Sequence, residues 1–263
     1  KTNAASGPAT CCRAIIAGSS PGISSGGGIS AVAAIAPYLH SPDAELRWAA
    51  AYSVARARAR SGVRALLDAP HPDAAFRAEL ARVLSKQMVG DSLRAEAIGR
   101  LRVLVTDPSP YVRINALHSI ASFGTAERAV IVHALHDRDA NVRVAAAQSA
   151  APAFDTTVSL WREAWALDTT YKVRRSLLDG ATASGVTLPA DSLWRASPDW
   201  RLRAVAIGAW SGSRDTAHAR GVALAATSDP DARVRGAAYQ LLAASDTGRR
   251  DAVVQRALTA GRS

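Results

Sequence analysis

Residues 197–210 read Ser-Pro-Asp-Trp-Arg-Leu-Arg-Ala-Val-Ala-Ile-Gly-Ala-Trp, and this stretch decides the fold. Pro198 halts whatever precedes it, because proline cannot continue a helix and pushes its neighbour out of the helical region. Asp199 offers a side-chain oxygen to the free N–H groups of a new first turn. Leu202, Ala206 and Trp210 then recur at −1, +3 and +7 from Arg203, which is one apolar face of a helix.

The same register returns six more times. It reads Pro42-Asp43-Ala44-Glu45-Leu46-Arg47, Pro72-Asp73-Ala74-Ala75-Phe76-Arg77 and Pro108-Ser109-Pro110-Tyr111-Val112-Arg113. Further along come Arg138-Asp139-Ala140-Asn141-Val142-Arg143, Thr169-Thr170-Tyr171-Lys172-Val173-Arg174 and Pro230-Asp231-Ala232-Arg233-Val234-Arg235. Successive motif arginines lie 30, 36, 30, 31, 29 and 32 residues apart. A period near 31 suits two short helices and two tight turns.

Asp43, Asp73, Asp139, Asp199 and Asp231 stand four residues before their arginine, with Ser109 and Thr170 in the other two units, so all seven positions are expected to cap a helix. The +3 and +7 places hold Ala50 and Val54, Leu80 and Leu84, Ala116 and Ile120, Ala146 and Ala150, Leu177 and Ala181, Ala206 and Trp210, and Ala238 and Leu242. Turns follow at Gly62, Gly90, Gly124, Gly185, Gly212 and Gly248, and second helices are expected at, for example, 129–135, 158–167, 217–226 and 252–258. Neither helix of a pair can bury its apolar face alone, so the pairs must stack. The expected fold is all-α, an α-solenoid of about seven helix pairs over residues 29–263.

Residues 1–28 differ. They are rich in Ser, Gly and Ala, which reads as a flexible segment, and Ile29–Leu39 follows as a helix that caps the first pair. Cys11 and Cys12 are adjacent, a geometry that strains a disulfide, and no CxxC pattern is present. Small residues before Cys11 raise lipid modification, but Pro8 stands where an apolar residue is needed. No run approaches the roughly 20 apolar residues of a membrane span.

The formal charge of +10 raises nucleic acid as a partner. Lysine occurs only at Lys1, Lys86 and Lys172, so 29 of the 32 cationic residues are arginine. Arginine also forks onto carboxylates in structural pairs, and the excess is informative only once the arginines are placed.

In period and signature, the stretch from Ser41 to Ala260 resembles the HEAT-repeat family in its short bacterial form. That resemblance implies a ladder between aspartates and arginines of neighbouring repeats. On this chain the ladder falls on Asp43, Arg47, Asp73, Arg77, Arg113, Asp139, Arg143, Arg174, Asp199, Arg203, Asp231 and Arg235. The run at 197–210 is also similar to the HEAT region that precedes cyclophilin-type prolyl isomerase domains in some bacteria, although no cyclophilin motif is present.

Several residues offer chemistry. His133 and His136 are three apart with Asp137 and Asp139 beyond, a spacing metals accept, but no further histidine or cysteine cluster accompanies them, and a pair of partly exposed histidines at a helix end is the commoner outcome. Trp161, Trp165 and Asp168 resemble the tryptophan-and-aspartate cleft of HEAT-like DNA glycosylases; two tryptophans four apart also simply share one helix face. Arg56, Arg58, Arg60 and Arg64 are not explained by the repeat and offer contacts to phosphate. Nucleophile elbows, phosphate loops and HExxH are absent, so no catalytic residue, metal or cofactor is assigned. The expected function is a non-catalytic protein–protein scaffold, or an accessory subunit of a multi-subunit complex, with Trp161, Trp165, Trp194 and Trp200 as candidate partner anchors. Nucleic-acid binding through surplus arginines is the alternative, as is the helper region of a prolyl isomerase.

Overall fold

A computed structural model describes residues 28–154, 158–184, 197–211 and 215–245, together with residues 252, 255 and 259. Among these residues every regular element is helical. The chain folds as two compact units, Lys1–Ala153 and Phe154–Ser263.

The first unit holds α1 (Gly28–Ile35), α2 (Ala44–Arg56), α3 (Val63–Asp68), α4 (Ala74–Val83), α5 (Arg94–Leu104), α6 (Pro110–Ala121), α7 (Arg128–Ala134), α8 (Ala140–Gln148) and the short α9 (Ala150–Ala153). The second holds α10 (Val158–Leu167), α11 (Tyr171–Ala183), α12 (Trp200–Gly208), α13 (Thr216–Ala226) and α14 (Ala232–Ser245). In the first unit α2, α4, α6 and α8, each opened by a motif, pack side by side in that order. In the second, α11 packs on α12 and α12 on α14. Each unit is thus a stretch of α-solenoid.

The core is the stripe read from the sequence. All fourteen residues at +3 and +7 of the seven motifs are buried, from Ala50 and Val54 to Ala238 and Leu242. Alanine at about half of them keeps neighbouring axes close, and Phe76, Leu80, Leu117 and Ile120 fill the space between. The first unit is closed at one end by α1 and the 3-10 turn Ala36–His40, which holds Pro37 in its first two positions and seats Leu39 against α2.

The helix starts show what the caps do. Asp43 accepts from the N–H groups of Glu45 and Leu46 (2.8 and 3.4 Å), and Asp139 from those of Asn141 and Val142 (2.8 and 3.3 Å). Asp199 and Asp231 accept from the N–H of Arg201 and Arg233, each at 2.9 Å. Asp73, Ser109 and Thr170 make no side-chain cap bond, which corrects the uniform expectation. The Asp73 carboxylate is turned to Arg47, and Pro110 removes one first-turn donor beside Ser109.

Within each pair of the first unit the connection ends in a single 3-10 turn, at Arg60–Gly62, Asp91–Leu93 and Thr125–Glu127, and the second helix follows at once. Two such connections require a left-handed backbone: Arg58 has φ 51° and Gly124 φ 92°, and each lies eleven residues after its motif arginine. Gly62 is needed for a different reason. A Cβ there would lie 2.5 Å from Cγ1 of Val54, a β-branched side chain that has little freedom to yield.

Two glycines therefore predict opposite outcomes in thermal or denaturant unfolding. Gly62→Ala should destabilise by about 1–3 kcal/mol through overpacking. Gly99→Ala, in the middle of α5 with open space around it, should stabilise by about 0.5–1 kcal/mol.

Candidate functional site

The motif arginines are built into the turns. Arg113 shows the arrangement in full. Its Nη1 donates to the carbonyls of Asp107 and Pro108 (2.8 and 3.1 Å), closing the turn before its own helix. Its Nε and Nη2 donate to Oδ2 and Oδ1 of Asp137 (2.8 and 2.9 Å) in the turn of the next pair. Arg77 does the same with the carbonyls of His71 and Pro72 and the carboxylate of Asp107. In the second unit Arg203 joins the carbonyls of Ser197 and Pro198 to the carboxylate of Asp229.

The carboxylate that receives each arginine is the notable part. In these three pairs it is not the capping residue but one standing two places before it. Asp107, Asp137 and Asp229 also accept the backbone N–H of Ser109, Asp139 and Asp231 (2.9, 2.8 and 2.9 Å). Asp168 accepts that of Thr170 at 2.7 Å. Each of the four lies six residues before a motif arginine, a spacing visible in the sequence but hidden behind the more familiar capping aspartate. His71 occupies this place in the second pair, and Arg47 accordingly reaches two residues further, its Nε donating to Asp73 at 2.8 Å. Asp139, Asp199 and Asp231 serve as caps, and the latter two pair with Arg201 and Arg233 on their own first turns.

Arg143 and Arg235 close their own turns through the carbonyls of Asp137 and Asp229, both at 2.9 Å. Arg174 donates to the carbonyl of Asp168 (2.8 Å) and lies 4.9 Å over the ring of Trp165. A second row of pairs joins the second helices of the first unit: Arg64 forks onto Glu96, and Arg102 onto the buried Glu127 (3.0 and 2.8 Å).

Burial opposes ionisation of Asp107, Asp137 and Asp229. The hydrogen bonds from Arg77, Arg113 and Arg203, together with the backbone N–H bonds, outweigh it and hold all three carboxyls below the ordinary range.

The tryptophans need correction. Trp161 is 1% exposed and Trp165 8%, so both belong to the core of the second unit and not to its surface. Trp161 meets Phe154 edge-on at 5.2 Å. With Trp161 in the core and the Asp168 carboxylate bound to the Thr170 N–H, no open base-binding cleft of the glycosylase kind is formed by these residues. Trp200 is half-exposed and stacks under Arg233, 3.5 Å from its guanidinium carbon. Trp194, Cys11 and Cys12 lie outside the described residues.

Arg56, Arg58 and Arg60 are exposed and form no ion pair among the described residues, whereas Arg64 is engaged by Asp68 as well as Glu96. Arg64 is therefore not a free phosphate contact. His133 and His136 border a cleft of about 330 Å³ with Asp107, Arg113, Asp137 and Arg138. Both carboxylates there are held by arginine, and among the described residues no group of three or more His, Cys, Asp or Glu is placed to bind a metal ion.

Turns held this way define a repeat class, and comparison with known proteins agrees. The profile of HEAT repeats matches residues 61–151 and, overlapping, 99–178. Over residues 61–178 the chain is therefore built of HEAT repeats. The structure of YibA from Escherichia coli shares the fold: 16% identity, TM-score 0.55, covering 92% of this chain and 88% of that one. The complex of CpcE and CpcF of phycocyanin lyase from Nostoc sp. PCC7120 is 16% identical over 91% of this chain and 96% of the other, with a TM-score of 0.48. No curated protein sequence matches the chain.

The depressed carboxyls fix a pH dependence. Their folded pKa values lie below the unfolded ones, so their contribution is present above about pH 4 and is lost as pH falls through the folded values. Thermal midpoints should fall steeply below about pH 4. The double variant Asp107→Asn, Asp137→Asn should melt lower at neutral pH yet lose less on acidification. An unchanged acid slope in that variant would remove these carboxylates as its cause.

Proposed function

We propose that the protein acts without catalysis, as a protein–protein interaction scaffold or as an accessory subunit of a larger assembly. One observation carries this reading: the groups that look chemical are taken up in holding the turns. Asp73, Asp107, Asp137 and Asp229 receive motif arginines, Glu96 and Glu127 receive Arg64 and Arg102, and Trp161 and Trp165 fill the core. Several large apolar side chains also face outward. Tyr111 is 75% exposed on the first turn of α6, Val103 63% on α5 and Leu224 48% on α13. Exposed apolar side chains of this size suit partner contact.

The test is co-purification from the native source at low and moderate salt, with mass spectrometry of the eluate. A stoichiometric protein partner should survive moderate salt and should be depleted by Val103→Asp or Tyr111→Ala. Nucleic acid alone, lost steeply as salt rises, would overturn the reading.

A further inference from the structure

The two edges of the first unit differ in electrostatic character. One edge is made by the turns between successive pairs, where Asp68, Asp73, Asp107, Asp137 and Asp139 are paired with arginine or engaged by backbone N–H groups. The other is made by the turns within pairs. It carries Arg56, Arg58 and Arg60 from the first pair, and Lys86 and Arg94 from the second. All five are exposed, and none forms an ion pair among the described residues.

The three turns follow α2, α4 and α6, which pack side by side in that order, so they succeed one another along one edge. The Lys86 N–H donates to Oγ of Ser122 at 2.8 Å, tying the second turn to the third. The Arg94 guanidinium lies 5.7 Å from the ring centre of Phe123, in that same third turn. Its carboxylates offset little of the charge. Glu127 is buried under Arg102, Glu96 is held by Arg64, and Asp91 is exposed. Arg58 adds an independent sign. Its φ of 51° lies in the left-handed region, so a long cationic side chain stands where glycine is the unstrained choice.

We infer that this edge of the first unit docks an acidic, extended segment of a protein partner, a reading that rests on the scaffold function and names the chemistry of what it holds. Neighbouring helices lie roughly 8–10 Å apart, so three turns span about 20 Å. An extended chain covers that distance with about six residues. Arginine forks match carboxylates along such a segment. A single-stranded nucleic acid fits less well, because base stacking needs exposed aromatic rings and Phe123, the aromatic ring of these turns, is buried.

The experiment uses the full chain and fluorescence anisotropy with a labelled peptide of about ten residues, long enough to span the edge, that alternates glutamate with serine or glycine. Duplex and single-stranded DNA of matching length serve as competing probes at the same moderate salt. Two double variants carry the same change in net charge: Arg58→Glu with Lys86→Glu on the edge, and Arg100→Glu with Arg138→Glu off it, in α5 and in a turn between pairs of the same unit. Equal circular dichroism and melting curves establish that both fold. Peptide affinity should fall roughly tenfold or more in the edge variant and less than about twofold in the other. Equal losses, no peptide binding, or tighter DNA binding would each overturn the assignment. None of these outcomes touches the scaffold reading, which is judged by partner recovery on the unmodified chain.

Discussion

At Arg47, Arg77, Arg113 and Arg203 a single guanidinium joins two turns. Its Nη1 closes the loop that precedes its own helix, while in the pairs built like Arg113 its Nε and Nη2 clasp the aspartate of the following turn. A stacked pair is joined to its neighbour by one short turn and by no sheet hydrogen bonds, and apolar packing alone leaves sliding and rotation of one pair on the next weakly specified. A bidentate, largely buried ion pair specifies both distance and angle. The Arg113 and Asp137 side chains are 6% and 15% exposed, so water competes little for either. The same aspartate accepts the N–H of the capping residue two places on, which orients the carboxylate before the arginine reaches it. Where His71 replaces that aspartate the arginine shifts to Asp73, and the cap bond is given up for the pair between repeats.

This arrangement decides how the charge of +10 is distributed. Arg47, Arg77, Arg113 and Arg203 of the ladder, and Arg64 and Arg102 of the second row, are neutralised in place by carboxylates. The surplus is left on residues outside the repeat grammar, and in the first unit much of it gathers on the turns within pairs. The number of arginines therefore overstates how much basic surface the protein presents, whereas the net charge of +10 already leaves these pairs out, and part of that excess is concentrated at Arg56, Arg58 and Arg60.

Most of the fold was legible because a period of about 31 residues repeats the same physical demand seven times. Caps at Asp43, Asp139, Asp199 and Asp231, and the +3 and +7 core, follow from helix geometry and burial alone. The 3-10 turns were not legible, since a three-residue element is too short to show a period. The ladder carboxylates had a signal, an aspartate six before the motif arginine, but the capping aspartate satisfies the same local pattern and masks it. Trp161 and Trp165 were misplaced as partner anchors: their four-residue spacing says that they share a face, not whether that face turns inward. The boundary after Ala153 leaves no mark in an even repeat.

The most direct measurement is a double-mutant cycle on Arg113 and Asp137 by chemical unfolding, using Arg113→Met, Asp137→Asn and both together. If the guanidinium–carboxylate clasp holds one pair to the next, each single change should destabilise by roughly 3–5 kcal/mol. The coupling between them should then be about 1–3 kcal/mol. A coupling within about 0.3–0.5 kcal/mol of zero, the scatter of independent sites, would mean that apolar packing sets the stack without the ladder.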